Sequence, residues 1–230
     1  MTHVQDHAIG GVDVSKRSNP GARPDRDRAL AQYRQRANVY DMELAPFEPI
    51  RHDAISRLAL QRGDVVVDVG CGTGLSFSLL RDAVGPEGRI VGIEQSPDMI
   101  DKARERVAHA HWDGITLLCS PVESARIPVL ADAALFHFTH DILRRPDAVA
   151  NVMRHLKPGA RVVASGLKWS EPWAGPVNLF VWLAAQYSTT TLQGLDAPWQ
   201  PLENHVQSLE LENLWAGSVY LASGKTLGQG

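Results

Sequence analysis

Residues 65–74, Val65-Val66-Val67-Asp68-Val69-Gly70-Cys71-Gly72-Thr73-Gly74, carry an apolar run into three alternating glycines. The valine-rich half reads as a buried strand. Gly70, Gly72 and Gly74 then allow the backbone to turn sharply and to pass a ligand without interference from Cβ atoms. Beyond the loop, Leu75, Leu79 and Ala83 repeat at four-residue spacing, so a helix is expected from about Thr73 to Gly85-Pro86. A strand, a glycine turn and a helix make the opening unit of a parallel sheet covered by helices.

The same alternation continues outward. Arg89–Glu94 is the expected second strand, and Ser96-Pro97 caps a helix with Met99, Ala103 and Val107 on one face. Ile115–Cys119 and Ala133–Phe138 follow as strands. Pro146 opens another helix, and Lys157-Pro158-Gly159 turns the chain into a fifth strand, Ala160–Ser165. His205–Leu214 and Ser218–Ala222 flank a Trp-Ala-Gly turn and read as an antiparallel hairpin. Upstream, 27–40 and 46–60 have helical patterns. The expected architecture is α/β, a doubly wound, mostly parallel sheet in a single domain over 26–230. It comprises a helical cap (26–60), a cofactor-binding core (61–167), an aromatic-rich lid or substrate region (168–204) and the closing hairpin (205–224). Residues 1–25, rich in Gly, Pro, Asp and Arg, read as a flexible arm.

Composition narrows the class. Apolar residues are 44% of 230 and charged residues 21%, as in an ordinary soluble domain. A net charge of −3 gives no general attraction to nucleic acid or anionic membrane. The stretch from Lys16 to Arg36 holds seven Lys/Arg but no aromatic platform for bases. Cys71 and Cys119 lack metal-type spacing and are expected to be reduced, buried thiols in a cytoplasmic protein. The N-terminus shows no apolar leader, and the apolar run Val177–Ala185 is far short of the ~20 residues a membrane span needs.

Asp68 decides what the glycine loop holds. A dinucleotide loop reads G-x-G-x-x-G, but Leu75 stands where its third glycine belongs. A buried carboxylate beside a pyrophosphate is repulsive, whereas beside an ammonium or sulfonium group it is attractive. The loop therefore reads as a cradle for a cationic nucleoside. Glu94, 24 residues after Gly70, can accept both ribose hydroxyls; a capping acid for the next helix is the alternative. Cys119-Ser120-Pro121-Val122-Glu123 offers a small apolar shelf for an adenine ring at the third strand end.

These segments, VVDVGCGTG, VGIEQSPDMI and the LKPGARVV turn, resemble the ordered motifs of class I S-adenosylmethionine-dependent methyltransferases over roughly residues 35–167. The resemblance implies a Rossmann-like sheet of seven strands with the last-but-one in space antiparallel. It implies S-adenosyl-L-methionine as donor and S-adenosyl-L-homocysteine as product, without a metal. By carry-over, Asp68, Gly70, Cys71, Gly72, Thr73 and Gly74 line the donor's methionine side, with Phe138 after the fourth strand. Glu94 holds the ribose, and Gln95, Met99, Ser120, Pro121, Val122 and Glu123 border the adenine. Many family members carry Asp where this chain has Ser120, so adenine contact falls mainly to the Pro121–Val122 backbone.

Sulfonium methyl transfer needs in-line approach at about 3–3.5 Å more than a dedicated acid or base. Candidate catalytic groups nonetheless follow the fourth strand, where His140 could take a proton and Asp141 could orient it; a histidine capping the next loop is the competing reading. His137, His140 and Asp141 do not make a metal site, since residues 137 and 140 point to opposite faces of a continuing strand. Tyr40 could touch the donor or the acceptor, or simply pack. Five of six tryptophans lie between 169 and 215, which suggests an aromatic lid with Trp169 and Trp173 as substrate contacts. The expected function is methyl transfer to a small aromatic or apolar acceptor. A membrane-associated lipid-amine N-methyltransferase and a nicotinamide-dependent oxidoreductase are the alternatives.

Overall fold

The computed structural model describes residues 44–171, 173–188 and 192–227. The arm 1–25, the helix expected over 27–40 and Tyr40 lie outside them. In chain order the strands are β1 (Val65–Val69), β2 (Arg89–Glu94), β3 (Ile115–Cys119), β4 (Ala131–His137), β5 (Leu156–Leu167), β6 (Val206–Leu214) and β7 (Val219–Thr226). The helices are α1 (Glu48–Arg57), α2 (Phe77–Val84), α3 (Pro97–His109), α4 (His140–Leu143), α5 (Pro146–Met153), α6 (Gly175–Ser188) and α7 (Gln200–Glu203).

The strands form one sheet in the order β3-β2-β1-β4-β5-β7-β6. The first five pair in parallel, and β7 runs antiparallel to both β5 and β6. This is the expected seven-stranded topology, closing hairpin included. Strand alternation sorts β1 onto two cores. Val67 and Val69 pack with Val149 and Val152 of α5 on one face. Val66 packs with Ala54 and Leu58 of α1, Phe77 and Leu80 of α2, and Ile100 and Ala103 of α3 on the other. Asp68 shares the parity of Val66, so it belongs to the face that α1 covers. Strand order reverses between β1 and β4, and ligands of such sheets sit at the strands' carboxyl ends at this switch.

Several local details differ from the sequence pattern. The glycine loop delays α2 to Phe77, because Gly74 N–H donates to Cys71 O (2.9 Å) and Phe77 N–H to Gly74 O (3.1 Å), making turns of residues 71–76. Strand β5 starts at Leu156; Leu156 pairs with Ala131 and Arg161 with Ala133, so Lys157-Pro158-Gly159 forms a bulge inside a longer strand. Cys71 is buried as expected, but Cys119 is exposed. Its strand is the edge of the sheet, where one flank has no neighbour to bury it.

Gly74 is held by packing as well as by φ (+79°). A Cβ there would lie 2.5 Å from the ring of Phe77, which is fully buried and cannot retreat. Gly74→Ala is expected to destabilise the chain by about 2–4 kcal/mol, from left-handed strain plus overpacking, read as a lowered urea midpoint. An unchanged midpoint would show that Phe77 yields.

Candidate active site

At the carboxyl ends of β1 and β4 the glycine loop, Ser76, Arg51 of α1, His137 at the end of β4 and Phe138 after it line one cleft. Asp68 is 2% exposed, and its Oδ2 is buried without a hydrogen-bond partner. Burial pushes this carboxyl from 3.8 up to about 7; the Arg51 guanidinium opposes the rise and Glu94 adds to it. Arg51, also 2% exposed, donates from Nη1 to Glu48, while its Nε has no partner. One carboxylate oxygen and one guanidinium nitrogen with unmet hydrogen-bonding capacity thus belong to side chains that line the same cleft.

Glu94 spans the loop and the next helix. Its Oε2 accepts from Gly72 N–H (3.2 Å) and Oε1 from Ser96 N–H (2.8 Å). Burial raises its carboxyl, and these backbone donors oppose that shift. The capping role is therefore present, and a carboxylate with two bonds retains lone pairs for hydroxyl donors. Ser96 in turn accepts from Met99 N–H (3.4 Å), placing buried Met99 and half-buried Gln95 beside β2's end.

The next loop is fixed from behind. Ser120 N–H donates to Glu94 O (3.0 Å), which ties the third strand end to the second. Ser120 Oγ is turned onto Pro121 O (3.0 Å). Asn151 Nδ2 donates to Val122 O (2.7 Å) and Ala125 O (2.9 Å), and Glu123 pairs with Arg145 (2.7 Å). Glu123 is thus engaged in holding α5, and Asn151, invisible in a helical pattern, positions the shelf.

The segment after β4 divides differently from the sequence reading. His140 is buried, and its Nε2 donates to Gln193 O (2.9 Å). Its Nδ1 is buried without a partner, and burial lowers the imidazole to about 4. The group orienting His140 is therefore the Gln193 carbonyl rather than Asp141. His137, by contrast, lines the cleft, with Nδ1 2.8 Å from Ser165 Oγ. The tryptophans do not gather into a lid among the described residues. Trp169 is half-buried and packs with Leu167 and Val181, Trp173 is 85% exposed, and Trp199 meets Tyr220 (5.3 Å). Among the described residues no three His, Cys, Asp or Glu side chains converge as metal ligands.

Residues 66–159, the strands and loops just described, match the family model of a methyltransferase domain. Over this segment the chain is similar to methyltransferase domains, and its strand order is the one expected for the class I fold. The chain is 29% identical over 126 residues to an arsenite methyltransferase of Halobacterium salinarum, covering 53% of this chain and 32% of that protein. It is 26% identical over 168 residues to a demethylmenaquinone methyltransferase of Symbiobacterium thermophilum, covering 67% and 66%. The chain thus spans between a third and two thirds of these relatives' lengths. The N-methyltransferase NodS of Bradyrhizobium japonicum WM9, solved with S-adenosyl-L-homocysteine, shares the fold at TM-score 0.61 and 17% identity, over 85% of this chain and 96% of that one.

The family's donor fits the residues present. Its amino-acid end carries an ammonium and a carboxylate, and the cleft is lined by Asp68, with one unpartnered oxygen, and Arg51, with one unpartnered nitrogen.

Proposed function

We propose that this chain transfers a methyl group from S-adenosyl-L-methionine to a small aromatic or apolar acceptor. The observation that carries the reading is the Asp68–Arg51 pair, two buried charges with unmet hydrogen bonds at the end of the glycine loop. Bound there, the donor supplies a methyl on a sulfonium leaving group. Asp68 accepts from the ammonium and Arg51 donates to the carboxylate, which anchors one end of the molecule. Glu94 accepts from the ribose hydroxyls, and the Pro121–Val122 backbone, held by Asn151, borders the base. The chain's chief tasks are alignment and exclusion of water.

Isothermal calorimetry with S-adenosyl-L-methionine and S-adenosyl-L-homocysteine is the direct test. Binding of both at micromolar concentrations is expected, and no heat with either sinks the reading.

A second reading rests on α6. Val181 and Ala185 are buried, but Leu179, Phe180, Trp182 and Leu183 are exposed, and residues 172–195 carry no charged side chain. Such a face suits an acceptor drawn from a lipid surface. Among the described residues no helix is long and apolar enough to cross a membrane. Co-sedimentation with phosphatidylcholine vesicles separates the readings: pelleting lost in Trp182→Ser supports the lipid surface, and a chain that stays in the supernatant removes it.

A further inference from the structure

Three aromatic rings line up outward from His137. Phe138 adjoins His137 (ring centroids 4.8 Å), Phe47 lies against Phe138 (4.8 Å), and Trp215 stacks on Phe47 (5.2 Å, 26° between planes). The rings come from three separate places: the turn before α1, the end of β4, and the tip between β6 and β7. Two of them sit on backbone that bulky residues avoid, with φ +56° at Phe138 and +49° at Trp215. At Trp215 the left-handed backbone belongs to the hairpin turn, which continues through Ala216 (φ +52°) and Gly217 (φ +81°), whereas at Phe138 it is strain that persists only where surrounding structure imposes it. Among the described residues the row is not closed over, since Trp215 is 41% exposed and Phe47 and Phe138 are half-buried.

His137 stands at the inner end of this row. Ser165, fully buried on β5, engages its Nδ1 and sets the ring plane; in the tautomer whose Nδ1–H donates to Ser165 Oγ, Nε2 carries the free lone pair on a side chain that lines the cleft. Burial and the nearby Arg51 guanidinium hold the imidazole down to about 3, so it is neutral near pH 7. A neutral ring nitrogen offers a lone pair to a hydroxyl but no charge to a carboxylate or a cation.

We infer that His137, Phe138, Phe47 and Trp215 form a subsite for a planar hydroxyarene, its ring laid along the aromatic row and its hydroxyl donating to His137 Nε2. This rests on the methyl-transfer reading. There the oxygen lone pair forms a bond to the methyl carbon while the carbon–sulfur pair returns to sulfur. The hydroxyl proton passes to His137 and on to solvent. Even a weakly basic imidazole suffices, because a methylated oxygen still bearing its proton is a strong acid. His140, whose Nε2 is held by Gln193 and whose Nδ1 is buried, is not the group that meets the acceptor in this arrangement.

The test reads binding, with 4-fluorophenol and 4-fluoroanisole as probes followed by fluorine NMR on the full chain, with and without S-adenosyl-L-homocysteine. His137→Ala is expected to weaken 4-fluorophenol about tenfold and to leave 4-fluoroanisole unchanged, while His137→Gln, which keeps an acceptor, stays near wild type. Phe47→Ala is expected to weaken both probes about three- to tenfold. Folding of each variant is followed by its melting temperature, and His137→Gln and Phe47→Ala keep the test open if His137→Ala fails to fold. Failure of the wild-type chain to bind 4-fluorophenol, equal loss of both probes in His137→Ala, or loss of homocysteine-product binding in that variant overturns the subsite. If the product itself does not bind the wild-type chain, the methyl-transfer reading fails instead, and the fluorophenol titration without it still reads the subsite.

Discussion

Asp68→Ala is expected to weaken S-adenosyl-L-methionine binding by about a hundredfold or more, because removing one partner of a buried charge pair costs roughly 2–5 kcal/mol. The carboxylate is surrounded by protein and has an oxygen with no other partner, and no second carboxylate lines the cleft among the described residues. Asp68→Asn, which keeps the shape, should lose nearly as much, since the attraction is between charges. The two states of the chain also leave a pH signature. The carboxyl is raised from 3.8 to about 7 by folding, so the folded chain holds a proton that the unfolded chain has released. Between those values the free chain loses stability as pH rises, and above about 7 the whole penalty is present. Asp68→Asn should therefore raise the melting temperature of the free chain at pH 8 but not at pH 4. Donor binding needs the ionised carboxylate, so at pH 6 it should expel close to a whole proton, and less as pH passes 7. Calorimetry in buffers of different ionisation heats measures this. A lower melting temperature for Asp68→Asn at pH 8, or no proton release at pH 6, removes the assigned role.

Much of this site follows from local pattern. A valine run, three glycines and an acid two residues before the first of them mark a strand end and a buried carboxylate at the cleft within ten positions. Glu94 follows because the second strand is equally regular. What escapes the pattern depends on how elements meet. Arg51 sits in a helix where a charged residue ordinarily reads as solvated, and only the packing of α1 against β4 and β5 buries it beside Asp68. His137 was legible as a strand-end histidine, but its link to Ser165 required the register of β4 against β5, which pairs these two residues. The left-handed Phe138 and Trp215 carry no glycine to announce them, so the aromatic row could not be read in advance. The tryptophan-rich segment misleads for the opposite reason. Tryptophans close in sequence were separated onto a helix approach, a loop under Tyr220 and a hairpin tip. Cys119 was read as buried because its strand is apolar, but position at the sheet edge outweighs composition.

Arg51→Met is expected to weaken donor binding about ten- to a hundredfold, from loss of a charge-assisted bond to the donor's carboxylate. Methionine keeps most of the buried stem's volume, so the change isolates the charge. The guanidinium also restrains its neighbours: it lowers the Asp68 carboxyl against burial and lowers the His137 imidazole. Without it, both groups hold protons to higher pH. Asp68 would then be largely protonated at pH 7, and the affinity deficit relative to wild type should shrink as pH climbs toward 9. Proton release on binding should reach its maximum at a higher pH than in wild type. The cost to folding should stay below the roughly 3–5 kcal/mol usual when one member of a buried pair is removed. The groups left behind are not trapped as charges: Glu48 reaches solvent, with its side chain 44% exposed, and Asp68 can take up a proton. Arg51→Lys keeps the charge without the planar fork and should fall between the two in affinity while leaving the pH dependence near wild type. An affinity deficit that is the same at pH 7 and pH 9 would show that Arg51 does not act on Asp68, and the paired reading of the two buried charges would have to be given up.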